Sequence, residues 1–211
     1  HCLVKDNMIV EEWICRDELA MVLQLGHDPI ELAKQMTAKA ASSGLKRPAI
    51  PTGEVARLRG QPPPERPAPQ TSENPEAFVK AMLQDVWNCR MVGEIPKYYA
   101  PHLYARVPGH RMIYGLGNYQ AHVLGLLAMF PDLALVVDHQ CCIGDETRGY
   151  RVATRWFLHG THDGNGPLGE PTGKPVTVWG ISHHEIRSGK IEREWMIYDV
   201  FAMLKQIYWP S

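Results

Sequence analysis

Glu194 and His184 are the side chains best suited to move protons in this 211-residue chain, and the residues around them alternate as a β-hairpin would. The runs Val176–Arg187 and Ile191–Tyr198 are rich in β-branched and aromatic residues and flank a short Ser-Gly turn, which is a hairpin signal. Taking Arg187, Ser188 and Gly189 as a three-residue loop pairs Ile186 with Lys190, His184 with Glu192, Ser182 with Glu194 and Gly180 with Met196. Side chains alternate across a sheet, so Ser182, His184, Glu194, Met196 and Tyr198 share one face. Trp179, Ile181, His183, Trp195, Ile197 and Asp199 share the other. A glutamate whose pKa is raised by burial serves as a general base, with His184 as its partner. The competing reading is a solvated ion pair near the hairpin tip. A one-residue change of register would exchange the two faces.

Other reactive side chains have plainer explanations. Asp199 ends the second strand ahead of Val200, Phe201, Leu204, Ile207 and Tyr208 at helical spacing, so its carboxylate is expected to cap that helix. His159 and His162 stand three apart on a strand, which puts them on opposite faces and suits hydrogen bonding better than a shared metal. Adjacent Cys141 and Cys142 are expected to be small buried residues. Trp156, Trp179 and Trp195 either line a pocket or pack an interface. No Gly-rich phosphate loop is visible, which argues against a nucleotide, and no metal or other cofactor is expected.

These residues need elements to position them, and the chain supplies two unequal parts. Glu12–Leu25 echoes Glu194–Ile207 at a constant offset of 182, matching Glu, Trp, Asp, Ala, Met and Gln without a gap. Asp17 therefore stands where Asp199 does. We read residues 1–44 as a partial repeat, the closing strand and helix of a preceding domain, followed by a helix that starts at Asp28-Pro29. Residues 45–74 hold seven prolines between Pro48 and Pro69, which exclude regular helix or sheet and read as a linker whose arginines are solvated.

Residues 75–211 form the main domain. Asn74-Pro75 opens a helix with Phe78, Val79, Met82, Leu83 and Val86 on one side, and a short helix covers Val92–Tyr99. Leu103–Val107 is a short strand, and Gly117-Asn118 opens a third helix striped by Tyr119, Val123, Leu126, Leu127 and Phe130. Leu133–Ile143 and Tyr150–His162 are strands that lead into the hairpin. Helices first, then antiparallel strands, then a terminal helix describe an α+β domain: a cone-shaped curved antiparallel sheet packed against its N-terminal helices.

Composition bounds the rest. A net charge of −1 offers no electrostatic attraction to nucleic acid or an anionic membrane, and no apolar run reaches membrane-spanning length. Five cysteines without metal-type spacing fit a reducing compartment, so the cytoplasm is expected. The chain begins with His1 inside a strand-like run, which suggests a piece of a longer protein.

Residues 75–209 resemble the SnoaL-like polyketide cyclases of the nuclear transport factor 2-like (cystatin-like cone) superfamily. Phe130-Pro131-Asp132-Leu133, Arg155-Trp156, Gly160-Thr161-His162-Asp163-Gly164, Pro171-Thr172-Gly173-Lys174, Gly189-Lys190-Ile191 and Leu204-Lys205-Gln206-Ile207 carry the resemblance in order. It implies a cone with a small-molecule cavity and, in the cyclases, an aspartate seven residues after the Gly of Gly-Lys-Ile as general acid/base. Here that position is Met196, whose thioether exchanges no protons, and the position of an accompanying histidine is Ser182. Two readings follow. In the first, the cone binds a small apolar, cyclic or polyketide-like molecule, with Ser182, Met196, Tyr198 and Trp156 as ligand-binding residues. Any cyclase, isomerase or hydrolase activity then uses Glu194 and His184. In the second, the cavity is filled and the domain is a non-catalytic module that forms a homodimer through its Trp-rich face.

Overall fold

Alternating apolar and polar residues between 134 and 198 make long strands, and they close into one sheet because each buries every second side chain. The computed structural model describes residues 2–48, 70–71 and 73–210. Its first elements are β1 (Cys2–Lys5), β2 (Met8–Glu12), α1 (Glu18–Gln24) and α2 (Pro29–Ser42). β1 and β2 form a separate two-stranded hairpin, exposed along its whole length. Most of the proline-rich segment lies outside the described residues, but Arg47 docks its guanidinium on the Pro175 carbonyl at 2.6 Å instead of standing free in solvent.

The main domain begins with α3 (Pro75–Leu83), started by Asn74, whose side chain accepts from the Ala77 N–H at 2.9 Å. A π-helical turn (Gln84–Asn88) and a 3-10 turn (Val92–Glu94) lead to α4 (Ile95–Tyr98). β3 (Tyr99–Val107) starts earlier than its sequence suggests, and β4 (Arg111–Tyr114) is an addition that its short length hides. α5 (Leu116–Met129), β5 (Ala134–Asp145), β6 (Gly149–Thr161), β7 (Pro175–Arg187), β8 (Lys190–Tyr198) and α6 (Val200–Ile207) complete the chain. The curved six-stranded sheet has the order β4-β3-β8-β7-β6-β5, and every neighbour is antiparallel except the parallel pair β3 and β8.

α3 and α5 lie against the inner face of the sheet, and the core forms between them. Met82, Tyr119 and Val123 from the helices meet Val152, Trp156 and Leu158 from β6 with no exposed surface or almost none. Apolar burial of this kind stabilises at roughly 25 cal/mol per Å². The opposite, convex face is less covered, and Phe157 and Ile197 stand exposed on it. β5 is the outer strand, which explains why Cys141 is exposed and Cys142 half-buried, contrary to the buried role expected of them.

The register of β7 and β8 differs from the simplest pairing. Ser188 and Gly189 both take left-handed backbone angles (φ 48° and 75°), so the loop has two residues and Arg187 pairs with Lys190. A bulge between Glu185 and Ile186 then inserts one residue in β8, so His184 faces Glu194 and Ser182 faces Met196. These cross-strand partners replace the expected ones. The two shifts add to an even number, so the set of residues sharing the inner face is unchanged.

Candidate active site

Two tyrosines and a histidine converge on Glu194, each from a different element. β8 places Glu194 inward, fully buried. Its Oε2 accepts from the Tyr119 hydroxyl at 2.7 Å and the Tyr99 hydroxyl at 2.9 Å, and the two hydroxyls are 2.8 Å apart. Tyr99 arrives because β3 lies parallel beside β8, with Tyr99 opposite Ile191. Tyr119 occupies one turn of the apolar stripe of α5. From the other side, β7 brings fully buried His184, whose Nε2 is 3.5 Å from Glu194 Oε1. Oε1 and both ring nitrogens of His184 have no hydrogen-bond partner among the described residues. Leaving such groups unpaired in a buried place costs about 1–3 kcal/mol each. The carboxylate is thus tied by two donors through one oxygen and faces the imidazole through the other.

Electrostatics follow from this packing. Burial pushes the Glu194 carboxyl up, but His184 and the tyrosine hydroxyls outweigh it and hold the group below the ordinary glutamate range. The expectation that burial would raise this pKa is therefore corrected: the donors around the carboxylate favour its charged form. Burial, then the adjacent Glu194 charge, pushes both tyrosines well above their ordinary range, so they stay hydroxyl donors. His122, one turn further along α5, is pushed down to about 4 by burial and then by Arg111, whose Nη2 is 3.1 Å from its Nδ1. A guanidinium can only donate, so Nδ1 accepts and the proton sits on Nε2, which has no hydrogen-bond partner among the described residues.

The next inward rung of the same hairpin holds Ser182 opposite Met196, both buried. These are the positions where the family resemblance puts a histidine and an aspartate. The acid and the imidazole of this chain therefore stand one inward rung nearer the hairpin tip. Trp156 donates from Nε1 to Ser182 Oγ at 2.9 Å and lies 5.6 Å, ring to ring, from Tyr198. Gly180 makes room for that indole: a Cβ there would come within 2.4 Å of Trp156 Cη2. Ser182, Met196, Tyr198 and Trp156 thus form one buried layer, with Met196 the inner-face residue between Glu194 and Tyr198. Beyond His184 toward the tip, Ile186 borders a cavity of about 560 Å³ whose walls include Phe78, Tyr98, Tyr150 and the Ser188-Gly189 turn.

Other reactive residues have structural partners. Asp199 caps α6 by accepting from the Ala202 N–H at 2.8 Å. His159 is 2.8 Å from the Thr177 hydroxyl, and His162 is 3.3 Å from that of Thr172. Tyr99 and Tyr119 were not foreseen as site residues. The available signal was a tyrosine on an apolar helical stripe, since a buried phenol needs a partner for its hydroxyl.

Comparison with known proteins agrees with this architecture. A family profile described as SnoaL-like polyketide cyclase matches residues 77–207. No curated protein matches the chain. Among solved structures, a protein described as a SnoaL-like polyketide cyclase from Jannaschia sp. CCS1 is 19% identical with a TM-score of 0.58, covering 72% of this chain and all of that one. One described as a polyketide cyclase from Acidithiobacillus ferrooxidans is 22% identical with a TM-score of 0.53, covering 63% of this chain and 93% of that one. IdmH from Streptomyces antibioticus, also described as a polyketide cyclase, is 23% identical with a TM-score of 0.53, covering 63% and 97%. At these identities the structures speak for the fold, and the profile match, spanning more than half of the chain, settles the family. The chain belongs to the SnoaL-like polyketide cyclases.

Proposed function

We propose that the domain binds a small apolar molecule, polyketide-like or cyclic, and rearranges it by proton transfer at Glu194. The observation that carries this reading is the asymmetric carboxylate. Oε2 is held by Tyr99 and Tyr119, while Oε1 accepts no hydrogen bond among the described residues and faces the His184 imidazole at 3.5 Å. An ionised carboxylate fixed in this way can accept a proton from a carbon next to a carbonyl, and the imidazole can deliver one to the oxygen that gains charge. Cyclase, isomerase or hydrolase chemistry would use the same pair, without the aspartate that Met196 replaces. The cavity bordered by Ile186 is the expected entry, with Ser182, Met196, Tyr198 and Trp156 forming the apolar floor beside the pair.

A second reading keeps the domain non-catalytic. Trp156, Met196 and Tyr198 are at most 3% exposed, so they fill the layer where a ligand would otherwise sit. In that case a homodimer through the convex face, where Phe157 and Ile197 are exposed, is the functional unit. In either reading the five unpaired cysteines favour the cytoplasm, and among the described residues no helix is long and apolar enough to cross a membrane.

Native followed by denaturing mass spectrometry of the purified chain tests the first reading. A small molecule released on denaturation is expected, and it then serves as the assay compound. Glu194→Gln keeps the shape and the tyrosine contacts while removing the base, so binding should persist and turnover should fall by about 100-fold or more. Unchanged turnover would remove Glu194 from the mechanism.

A further inference from the structure

We infer that residues 2–25 are the closing hairpin and helix of a second SnoaL-like unit, docked on this domain as the other half of a two-fold pair. The open edges of that hairpin are where the remainder of such a unit, with its equivalents of β6 and β3, pairs. This inference goes beyond the Glu194–His184 reading and stands on backbone register and contacts alone.

Subtracting 182 from the partners in the β7–β8 hairpin reproduces the β1–β2 hairpin. His184–Glu194 becomes Cys2–Glu12, Glu185–Arg193 becomes Leu3–Glu11, Ile186–Ile191 becomes Val4–Ile9, and Arg187–Lys190 becomes Lys5–Met8. The register break falls in the same place, between Leu3 and Val4 as between Glu185 and Ile186. Both turns consist of two left-handed residues, Asp6 and Asn7 (φ 49° and 61°) and Ser188 and Gly189 (φ 48° and 75°). Asp17 then caps α1 through the Ala20 N–H, as Asp199 caps α6 through the Ala202 N–H. The repetition is one of backbone geometry as well as of residue types.

The placement of this segment is that of a symmetry mate. In a two-fold interface the same patch is used twice, and residues at the axis meet their own equivalents. The Cys15 thiol donates to the Ile197 carbonyl at 3.4 Å, and positions 15 and 197 are equivalents under the same offset. α1 likewise packs against α6, its own equivalent. Two further contacts have reciprocal positions waiting on the domain. The Arg155 guanidinium lies 3.7 Å over the Trp13 ring, and Asp17 accepts from the Gly109 N–H at 2.8 Å. Their mirror positions are Trp195, which lines an apolar groove of about 640 Å³, and Asp199, which borders a hollow of about 390 Å³. The second unit would bring an arginine to the first and a turn N–H to the second.

This geometry selects the occupant. β7 pairs antiparallel with β6, and β8 pairs parallel with β3. Among the described residues the corresponding edges of β1 and β2 are unpaired, and Val4, Met8, Ile9 and Val10 are exposed there. Unpaired apolar edges invite strand addition. A sheet supplying equivalents of β6 and β3 completes them. A second copy of the whole chain does not fit this axis, because residues 13–25 already hold the place of its β8 end and α6.

Two experiments test the proposal. In the full chain, Cys2, Cys89, Cys141 and Cys142 are changed to Ser and Ile197→Cys is introduced. A short thiol–thiol cross-linker followed by peptide mass mapping should join positions 15 and 197 within one chain. A bridge between two copies at position 197, or no bridge, overturns the two-fold placement. Because position 1 is equivalent to 183, a copy of residues 75–182 placed before His1 should rebuild the second unit without a seam. The Val4, Ile9 and Val10 amides should then exchange at least about 100-fold more slowly than in the 211-residue chain. Exchange at the unchanged rate overturns the assignment of the partner.

Discussion

Two hairpins with one register behave differently in the same chain. β1–β2 and β7–β8 share turn length, bulge position and capping aspartate, yet every residue of the first is exposed while the second carries the centre of the core. The difference lies in what stands on either side. β7 and β8 are flanked by β6 and β3 and covered by helices, whereas among the described residues β1 and β2 pair only with one another. The same turn and register therefore form with and without flanking strands, and the neighbours decide which side chains at equivalent positions are buried.

Paired substitutions break this comparison where it is sharpest. Glu194→Ala strands two buried tyrosine hydroxyls and removes the charge facing the buried His184 ring, and should destabilise by about 3–5 kcal/mol. Its counterpart Glu12→Ala should stay within about 0.5 kcal/mol, because Glu12 is exposed. Urea midpoints of the two variants check this, and equal losses would sink the claim that the tyrosine–carboxylate cluster holds the fold together. Ile186→Ala, which empties a buried position, should cost about 2–5 kcal/mol, against no more than about 0.5 kcal/mol for the exposed counterpart Val4→Ala. Thermal melts of both read the contrast.

Acid should act on the buried half of the molecule alone, and more gradually. A histidine or glutamate with a depressed folded pKa contributes stability above its unfolded pKa and loses it as pH falls. His122, down at about 4 from an ordinary 6.5, should therefore erode stability as pH drops from about 6.5 toward 4. Glu194 continues the loss below its ordinary 4.5. Denaturation midpoints measured across this range should fall monotonically, and His122→Gln should flatten the upper limb. A midpoint that rises on acidification to pH 5 would contradict the burial of a neutral His122.

Much of this arrangement was legible in the residues. Period-two alternation announced the long strands, Asp28-Pro29 and Asn74-Pro75 announced helix starts, and the inner-face set Ser182, His184, Glu194, Met196 and Tyr198 followed from parity. The cross-strand partners did not follow, because a bulge at β8 has no residue signature and moves the pairing by one residue. β4 is too short to show a period. The tyrosine donors were beyond reach for a different reason: Tyr99 and Tyr119 lie 95 and 75 residues from Glu194, and only the parallel docking of β3 and the rotation of α5 bring them to it.

The contact between Gly180 and Trp156 has a consequence for anyone reshaping the cone. Position 180 tolerates no side chain while the indole lies across it, and Ser182 anchors that indole through its ring nitrogen. The width of the inner layer is therefore encoded by three positions jointly. Libraries that vary them one at a time will report a rigid layer, while libraries that vary 156, 180 and 182 together sample the space in which its width can change.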